Sequence, residues 1–296
     1  MLDMKRLQLR AAFFRAIRSW FESQRFLEVD TPIRQPLVIP EQNIAHIPST
    51  SHFLQSSPEL YMKRLLGCGC EQIYQICRCF RHGERGRLHL EEFMMLEWYR
   101  KDADYRKLMH DCESLFRFLH SSVPGHSFPV AVDLSWEYLT VEEAFAKFSS
   151  LSVKEALDQD LFDELLVEDV EPQLGKNSPT FLYDYPLKLA SLARQKPNQP
   201  RIAERFELYV SGVELANGFS ELTDPEIQRS RFAEEYAKMD CVDSSQQRMP
   251  EKFLDSLVHI DQAAGIAMGL DRLFMLFLGE NRIENGISFS PEELDA

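Results

Sequence analysis

The sequence predicts one domain built on a mixed or mainly antiparallel sheet with helices along its edges. Two observations carry this expectation. Short segments that alternate like strands, at 71–81, 91–100, 205–220 and 263–269, are set apart by segments with helical periodicity. The chain of 296 residues, 44 % of them apolar, is long enough to bury a substantial core without needing a second one. No internal repeat or low-complexity tract interrupts it.

The elements follow in order. Residues 4–26 read as a helix, because Leu9, Phe13, Ile17, Trp20 and Phe21 recur at steps of three or four. EVDTPI follows as a short strand that ends at Pro32, where no helix can continue. Residues 34–52, rich in Pro, Gln and Asn, read as loop. SSPELYMKRLLG starts a helix: Ser56 or Ser57 caps, Pro58 fits the first turn, Glu59 is its acid, and Gly67 ends it. EQIYQICRCFR and EEFMMLEWYR form a hairpin whose tip, GERGRLH, is long and charged. Residues 102–125 are an amphipathic helix, capped by Asp102 or Asp104, with Leu108, Cys112, Leu115 and Leu119 on one side. A strand is expected near 130–133, then an acidic helical insertion near 140–175. PTFLYDYPLKL is strand then loop, 205–224 is strand, turn and strand, Pro225 to about Met239 is helix, and 241–250 is a polar loop. AAGIAMG is a Gly-rich strand leading into a helix from Asp271 to Leu278.

A net charge of −14 argues against a broad nucleic-acid surface, since phosphate binding needs clustered Lys and Arg. It leaves room for a local basic pocket. No run of eighteen apolar residues occurs, and the first residues do not read as a signal peptide, so a cytoplasmic protein away from membranes is expected. In a reducing compartment the six cysteines are free thiols. The spacing of Cys68, Cys70, Cys77 and Cys79 is not that of a usual zinc knuckle, so buried thiols on a sheet are expected there rather than a metal.

Arg81 ends a strand beside the charged turn, and Arg272 starts a helix after a Gly-rich strand. Two guanidinium groups so placed could clamp a polyphosphate and stabilise charge on a transferring group; alone, each reads equally as a surface residue paired with acids. Glu214 and Glu221 flank small residues around Asn217, where unpaired burial is costly. One could hold Mg²⁺ beside substrate phosphates and another could meet a ligand ammonium, or both could pair internally with arginines. Glu59, Glu97 and Tyr99 add polar groups, and Phe93 is either core or a stacking platform. No P-loop, dinucleotide fingerprint, zincin motif or nucleophile elbow occurs; direct attack on an activated carboxylate needs no side-chain nucleophile and would work by orientation and electrostatics.

Three stretches taken together resemble the catalytic domain of class II aminoacyl-tRNA synthetases of the lysyl type. The helix ending in FLEVDTPI is similar to the first family motif, with Pro32 as its proline. QICRCFRHGERGRLHLEEF is similar to the second, with Arg81 as its arginine, and GIAMGLDRLFML to the third, with Arg272. SSPELYMKRLL, FELYVSGVELANGFSELTD and MLEWYR add lysyl-type signatures, and the likeness covers roughly residues 5–125 and 180–290. It implies an α+β fold with a six- or seven-stranded antiparallel sheet, a homodimer through the first-motif helix, and use of ATP. The first motif begins almost at Met4, leaving no room for an anticodon-binding barrel; Ser57 stands for the usual Ala, and Ala267 for the usual Gly. Those features, with the acidic charge, resemble the branch that attaches β-lysine to elongation factor P and make tRNA an improbable partner.

The resemblance implies the following roles. Arg81 and Arg272 hold the two ends of the triphosphate, with His89, Leu215 and Gly269 around the nucleotide. Phe93 stacks on adenine, and Glu214, with Glu221 as a further candidate, serves Mg²⁺. Glu59 and Asn217 orient the amino-acid end. Glu97, Tyr99 and Glu221 receive the far ammonium, and Ser57 and Ala267 shape the pocket. Two departures stand out: Gly83 occupies the place of the adenine-contacting Glu, with Glu84 beside it, and Leu90 replaces an Asn. A weakened regulatory paralogue, or a lysine-activating ligase for another acceptor such as tRNA, remains the alternative.

Overall fold

The computed structural model describes residues 1–42, 44–133, 135–239 and 248–294. Helix α1 (Met4–Ser23) starts where Asp3 accepts the Arg6 N–H, and it buries Phe13, Ile17, Trp20 and Phe21. After β1 (Leu27–Glu28), the segment expected as loop carries three short strands, β2 (Arg34–Gln35), β3 (Pro48–Ser49) and β4 (His52–Leu54), in a small sheet of their own. Helix α2 (Glu59–Gly67) has Pro58 at its cap position; Ser57 Oγ accepts the Glu59 N–H, so the expected serine acts one residue early. The expected hairpin is β5 (Gln72–Phe80) and β6 (Glu92–Lys101). Helix α3 (Tyr105–Ser122) is capped by Asp104 and not Asp102, whose φ of 54° places it in the preceding turn.

No strand forms at 130–133. Val130 and Val132 are buried core residues, so their alternation reflects burial without pairing. The strand is β7 (Glu137–Thr140), parallel to β8 (Thr180–Pro186). Between them lie α4 (Val141–Phe148), α5 (Val153–Asp158) and α6 (Phe162–Leu165), the first two opened by reciprocal capping boxes, Thr140 with Glu143 and Ser152 with Glu155. They share a small core of Phe145, Phe162, Leu182 and Tyr209. Strands β9 (Ile202–Val210) and β10 (Val213–Ser220) follow, then α7 (Pro225–Lys238), α8 (Glu251–Leu257), β11 (Ala263–Gly269) and α9 (Leu270–Phe277). Helix α8 has no counterpart in the sequence reading. Cys241 and most of the expected 241–250 loop lie outside the described residues.

The main sheet has eight strands, in the order β1-β5-β6-β11-β10-β9-β8-β7, with parallel pairing only at its two edges. The short edge strands account for the difference from the six or seven expected. Even-numbered residues of the central strands, among them Tyr74, Leu96, Trp98, Ile266, Met268, Phe206 and Leu208, join residues of α1, α3 and α9 in the main core. The odd-numbered face is half polar. Tyr99 and Ile73 meet α2 and α8 at one end of it, while Cys77, Cys79 and Met95 pack together at the other. Cys68 and Cys70 lie beyond the far end of β5 from Cys77 and Cys79, about 20 Å at strand spacing, so the four thiols share no site.

On that face Gly265 lies directly under the Tyr99 ring and the Glu221 carboxylate, and an added Cβ would overlap both. Gly265→Ala is expected to destabilise the protein by about 1–3 kcal/mol, the cost of overpacking. Chemical denaturation checks this; an unchanged midpoint would mean that the close approach is not required.

Candidate active site

Antiparallel register sets one row of side chains across the odd-numbered face. Asn217 lies opposite Ala267, Ala267 opposite Glu97, and Glu97 opposite Gln75. A β-bulge between Glu214 and Ala216 shifts the pairing of β10, so that Glu214 lies opposite Tyr209 and reaches the same face as Asn217. Arg81, His89, Phe93, Glu214, Leu215, Asn217, Ala267, Gly269 and Arg272 all line a single cleft on this side. The two arginines singled out in the sequence therefore face one space.

Arg272 is held tightly. Its Nε donates to the Leu88 carbonyl (3.0 Å), Nη1 to the Glu214 carbonyl (2.9 Å), and Nη2 to His89 Nε2 (2.7 Å). Its Nη1 also lies 3.4 Å from Glu214 Oε2. Burial and the Arg272 charge hold His89 below its ordinary range, so the ring is neutral and Nε2 accepts. The neighbouring Asp271 ties the elements together. It accepts from Arg10 of α1 (2.6 Å) and from the Met94 N–H of β6 (2.7 Å). Arg81 is looser: its guanidinium lies 5.3 Å from the Phe93 ring centre and 3.6 Å from Glu84, and its buried Nε has no partner among the described residues.

The turn explains the departure at Gly83. Gly83 has a φ of 76° and donates its N–H to Glu91 Oε1 (2.8 Å), while Arg85 donates to Glu91 Oε2. Such a backbone suits glycine, and it leaves Glu84 as the carboxylate of this turn that lines the cleft beside Arg81. Leu90 is buried against the core.

Behind the cleft the remaining expected residues form a buried cluster. Glu97, 1 % exposed, accepts from Ser57 Oγ (2.6 Å) and Tyr99 Oη (2.8 Å). Burial, reinforced by the Glu59 charge, raises its carboxyl to about 8. Glu59 and Glu221, expected at the amino-acid end of the substrate, share a lysine that the sequence reading did not include. Lys63 Nζ lies between them, bonded to Glu59 Oε1 and 2.5 Å from Glu221 Oε2. Burial alone would lower the Lys63 ammonium, but Glu221 and Glu59 outweigh it and hold it above its ordinary range. Burial pushes Glu221 up as well; with an ammonium at 2.5 Å the geometry favours the ionised pair. Only Oε2 of Glu221 lies against Lys63; its Oε1 is buried with no hydrogen-bond partner among the described residues. Glu59 and Lys63 are four apart on a helix, a spacing that reads in sequence as an ordinary surface pair.

Asn217 is oriented by a second polar group. Its Oδ1 accepts from Arg205 Nε (3.1 Å), Arg205 pairs with Glu207 (2.6 Å), and Tyr185 and Tyr209 both donate to Glu207. Three residues facing this region had no signal in the sequence: Lys63, Gln75, and Glu41 of the 34–52 segment, which lines the cleft with its carboxyl raised to about 7, by burial first and then by Glu59. Glu214, half-exposed in the cleft, suits Mg²⁺, which takes one or two carboxylates and fills its shell with phosphate oxygens and water. Among the described residues no group of three Cys, His, Asp or Glu side chains could hold a metal by itself.

A carboxyl raised by burial makes the folded state hold a proton that the unfolded state releases. Stability is therefore expected to fall as pH rises from about 4.5 towards 8 through Glu97, by at most about 1.4 kcal/mol per pH unit for one proton. Glu97→Gln should flatten that part of the profile. Denaturation midpoints between pH 5 and 9 check it, and an identical slope in the variant would count against a protonated Glu97.

Residues 3–293 match the family model for tRNA synthetases class II (D, K and N). The chain is 37 % identical to an elongation factor P–(R)-β-lysine ligase of Salmonella gallinarum, over 96 % of this chain and 94 % of that protein. Proteins of the same name from Salmonella arizonae and Salmonella dublin match at 37 % and 36 % over the same shares. By the match over residues 3–293 and the identity to these relatives, this chain belongs to the class II tRNA synthetase family of the D, K and N type.

Proposed function

We propose that the protein activates (R)-β-lysine with ATP and transfers it to the ε-amine of a lysine on elongation factor P. The observation that carries this reading is one cleft with two guanidinium groups and, directly opposite Ala267 of its wall, a buried carboxylate, Glu97, whose hydrogen-bond partners are both neutral. A triphosphate suits the first part and the far ammonium of a diamino acid suits the second.

In the first step a substrate carboxylate oxygen attacks the α-phosphorus, the bond to the β-phosphate oxygen breaks, and pyrophosphate leaves. Arg81 and Arg272 hold the phosphates and stabilise the charge that develops on them. Phe93 offers a ring to the base. Glu214 would hold Mg²⁺, which would neutralise phosphate charge. Asn217, its oxygen taken by Arg205, offers its NH₂ group to the amino-acid end. Glu97, Tyr99 and Glu221 receive the far ammonium, Glu59 joins Asn217 at the amino-acid end, and Ser57 and Ala267 bound the pocket. In the second step the acceptor amine attacks the carbonyl carbon, loses a proton, and AMP departs.

A homodimer through α1 is part of the proposal. Met4, Leu7, Leu27 and Ile33 are exposed apolar side chains on or just after that helix. A net charge of −14 disfavours tRNA as acceptor. No helix among the described residues is long and apolar enough to cross a membrane, in keeping with a cytoplasmic setting.

Incubation with ATP, each lysine isomer, elongation factor P and bulk tRNA tests the reading. A mass increase on the factor with β-lysine is expected. Label on tRNA alone would assign another acceptor, and absence of adenylate with either isomer would favour a regulatory paralogue. Arg81→Ala and Arg272→Ala should each lower ATP–pyrophosphate exchange by about 10²–10³-fold, the scale for removing one donor to developing charge. Glu84→Ala should raise the KM for ATP while leaving that for the amino acid; unchanged exchange would exclude Glu84 from nucleotide binding.

A further inference from the structure

Gln75 is an anomaly on the odd-numbered face. It is 3 % exposed, yet its Oε1 has no hydrogen-bond partner among the described residues. A buried carbonyl oxygen without a donor is costly and calls for an explanation. Register places Gln75 directly opposite Glu97, so the two side chains stand side by side on the face that carries the cleft. It sits between Ile73, which packs with α2 and α8, and Cys77, which packs beside Ala267. Neither neighbour brings a donor that the structure uses.

Glu97 is also short of positive charge. Its two hydrogen bonds come from hydroxyls, and the nearby ammonium of Lys63 pairs with Glu59 and Glu221 instead. Two adjacent buried acceptors without a cation match a ligand with several donors on one atom. An ammonium has three.

We propose that Gln75 is a specificity-determining residue whose side-chain carbonyl accepts a hydrogen bond from the far ammonium of the substrate, alongside Glu97. This rests on the amino-acid pocket assigned above and deepens it. The acceptor does more than add affinity. A side chain ending in a methyl group would leave Gln75 without a donor and Glu97 without a counter-charge, and a site built to bond a polar group rejects the analogue that lacks it. Gln75 thereby selects diamino acids over apolar amino acids of equal length.

The test is calorimetric binding to the full chain of each lysine isomer and of its analogue with a methyl group in place of the far ammonium. Wild type is compared with Gln75→Met, which keeps the volume and loses the acceptor, and with Gln75→Glu, which keeps an acceptor oxygen. Gln75→Met is expected to bind the lysines about 10–100-fold more weakly, the scale of a hydrogen bond to a charged group, and the methyl analogues no worse. Gln75→Glu should retain the preference, and ATP affinity should be unchanged in both. Should Gln75→Met not fold, Gln75→Asn, which withdraws the carbonyl, should lower the same ratio. The proposal is overturned if the ratio of lysine to methyl analogue stays at its wild-type value, or if both ligands weaken equally. If wild type itself does not distinguish the ligands, the amino-acid pocket is misassigned and the proposal falls with it.

Discussion

The site depends on the register of four antiparallel strands, β5, β6, β11 and β10. Pairing Gln75 with Glu97, Glu97 with Ala267, and Ala267 with Asn217 lines up polar groups that lie far apart in the chain. A slip of one residue would turn each strand over, sending Trp98 and Ile266 to the cleft and Glu97 into the main core. The aromatic and aliphatic residues of the even-numbered face prevent this, because α1, α3 and α9 bury them. Asp271 adds a polar lock by joining α9 to both α1 and β6 at the point where Arg272 leaves the helix.

Charge is distributed over the same face in two different ways. In the cleft, Arg272 is fixed by two carbonyls and a neutral imidazole, which orient the guanidinium, with the Glu214 carboxylate 3.4 Å away. Around Glu97, carboxylates outnumber cations. The single ammonium of Lys63 lies between Glu59 and Glu221, leaving Glu97 with only hydroxyl donors. Burial first, then the Glu59 charge, raises that carboxyl to about 8, and a cation beside it would favour the ionised form. The fold thus holds an unfavourable electrostatic arrangement that a ligand ammonium would relieve.

The departures from the family pattern form one connected change. Glu91 takes the Gly83 N–H and the Arg85 guanidinium, which fixes a left-handed turn at Gly83 and brings Glu84 to the cleft. Leu90, beside Glu91, packs against the core and also lines the cleft. Loss of the carboxylate at position 83 is thus accompanied by gain of one a residue later.

The sequence by itself determined the main elements and the two arginines. Periodicity marks α1 and α3 because each buries one face of a regular helix, while the β5–β6 hairpin and the Gly-rich β11 stand out by residue type, β6 and β11 being buried on both faces. The family likeness then made most of the cleft legible, from Phe93 to Asn217. The partners of those residues were decided only by the tertiary structure. Glu59 and Lys63 read as an ordinary helix pair until β10 brings Glu221 against them. Gln75 reads as one polar position in a strand until β6 places Glu97 beside it. Val130 and Val132 mimic a strand because they are buried, while β7 goes unrecognised because pairing depends on a neighbouring backbone that local sequence does not encode. Which charge meets which is a matter of long-range register, and so it becomes visible only once the sheet is assembled.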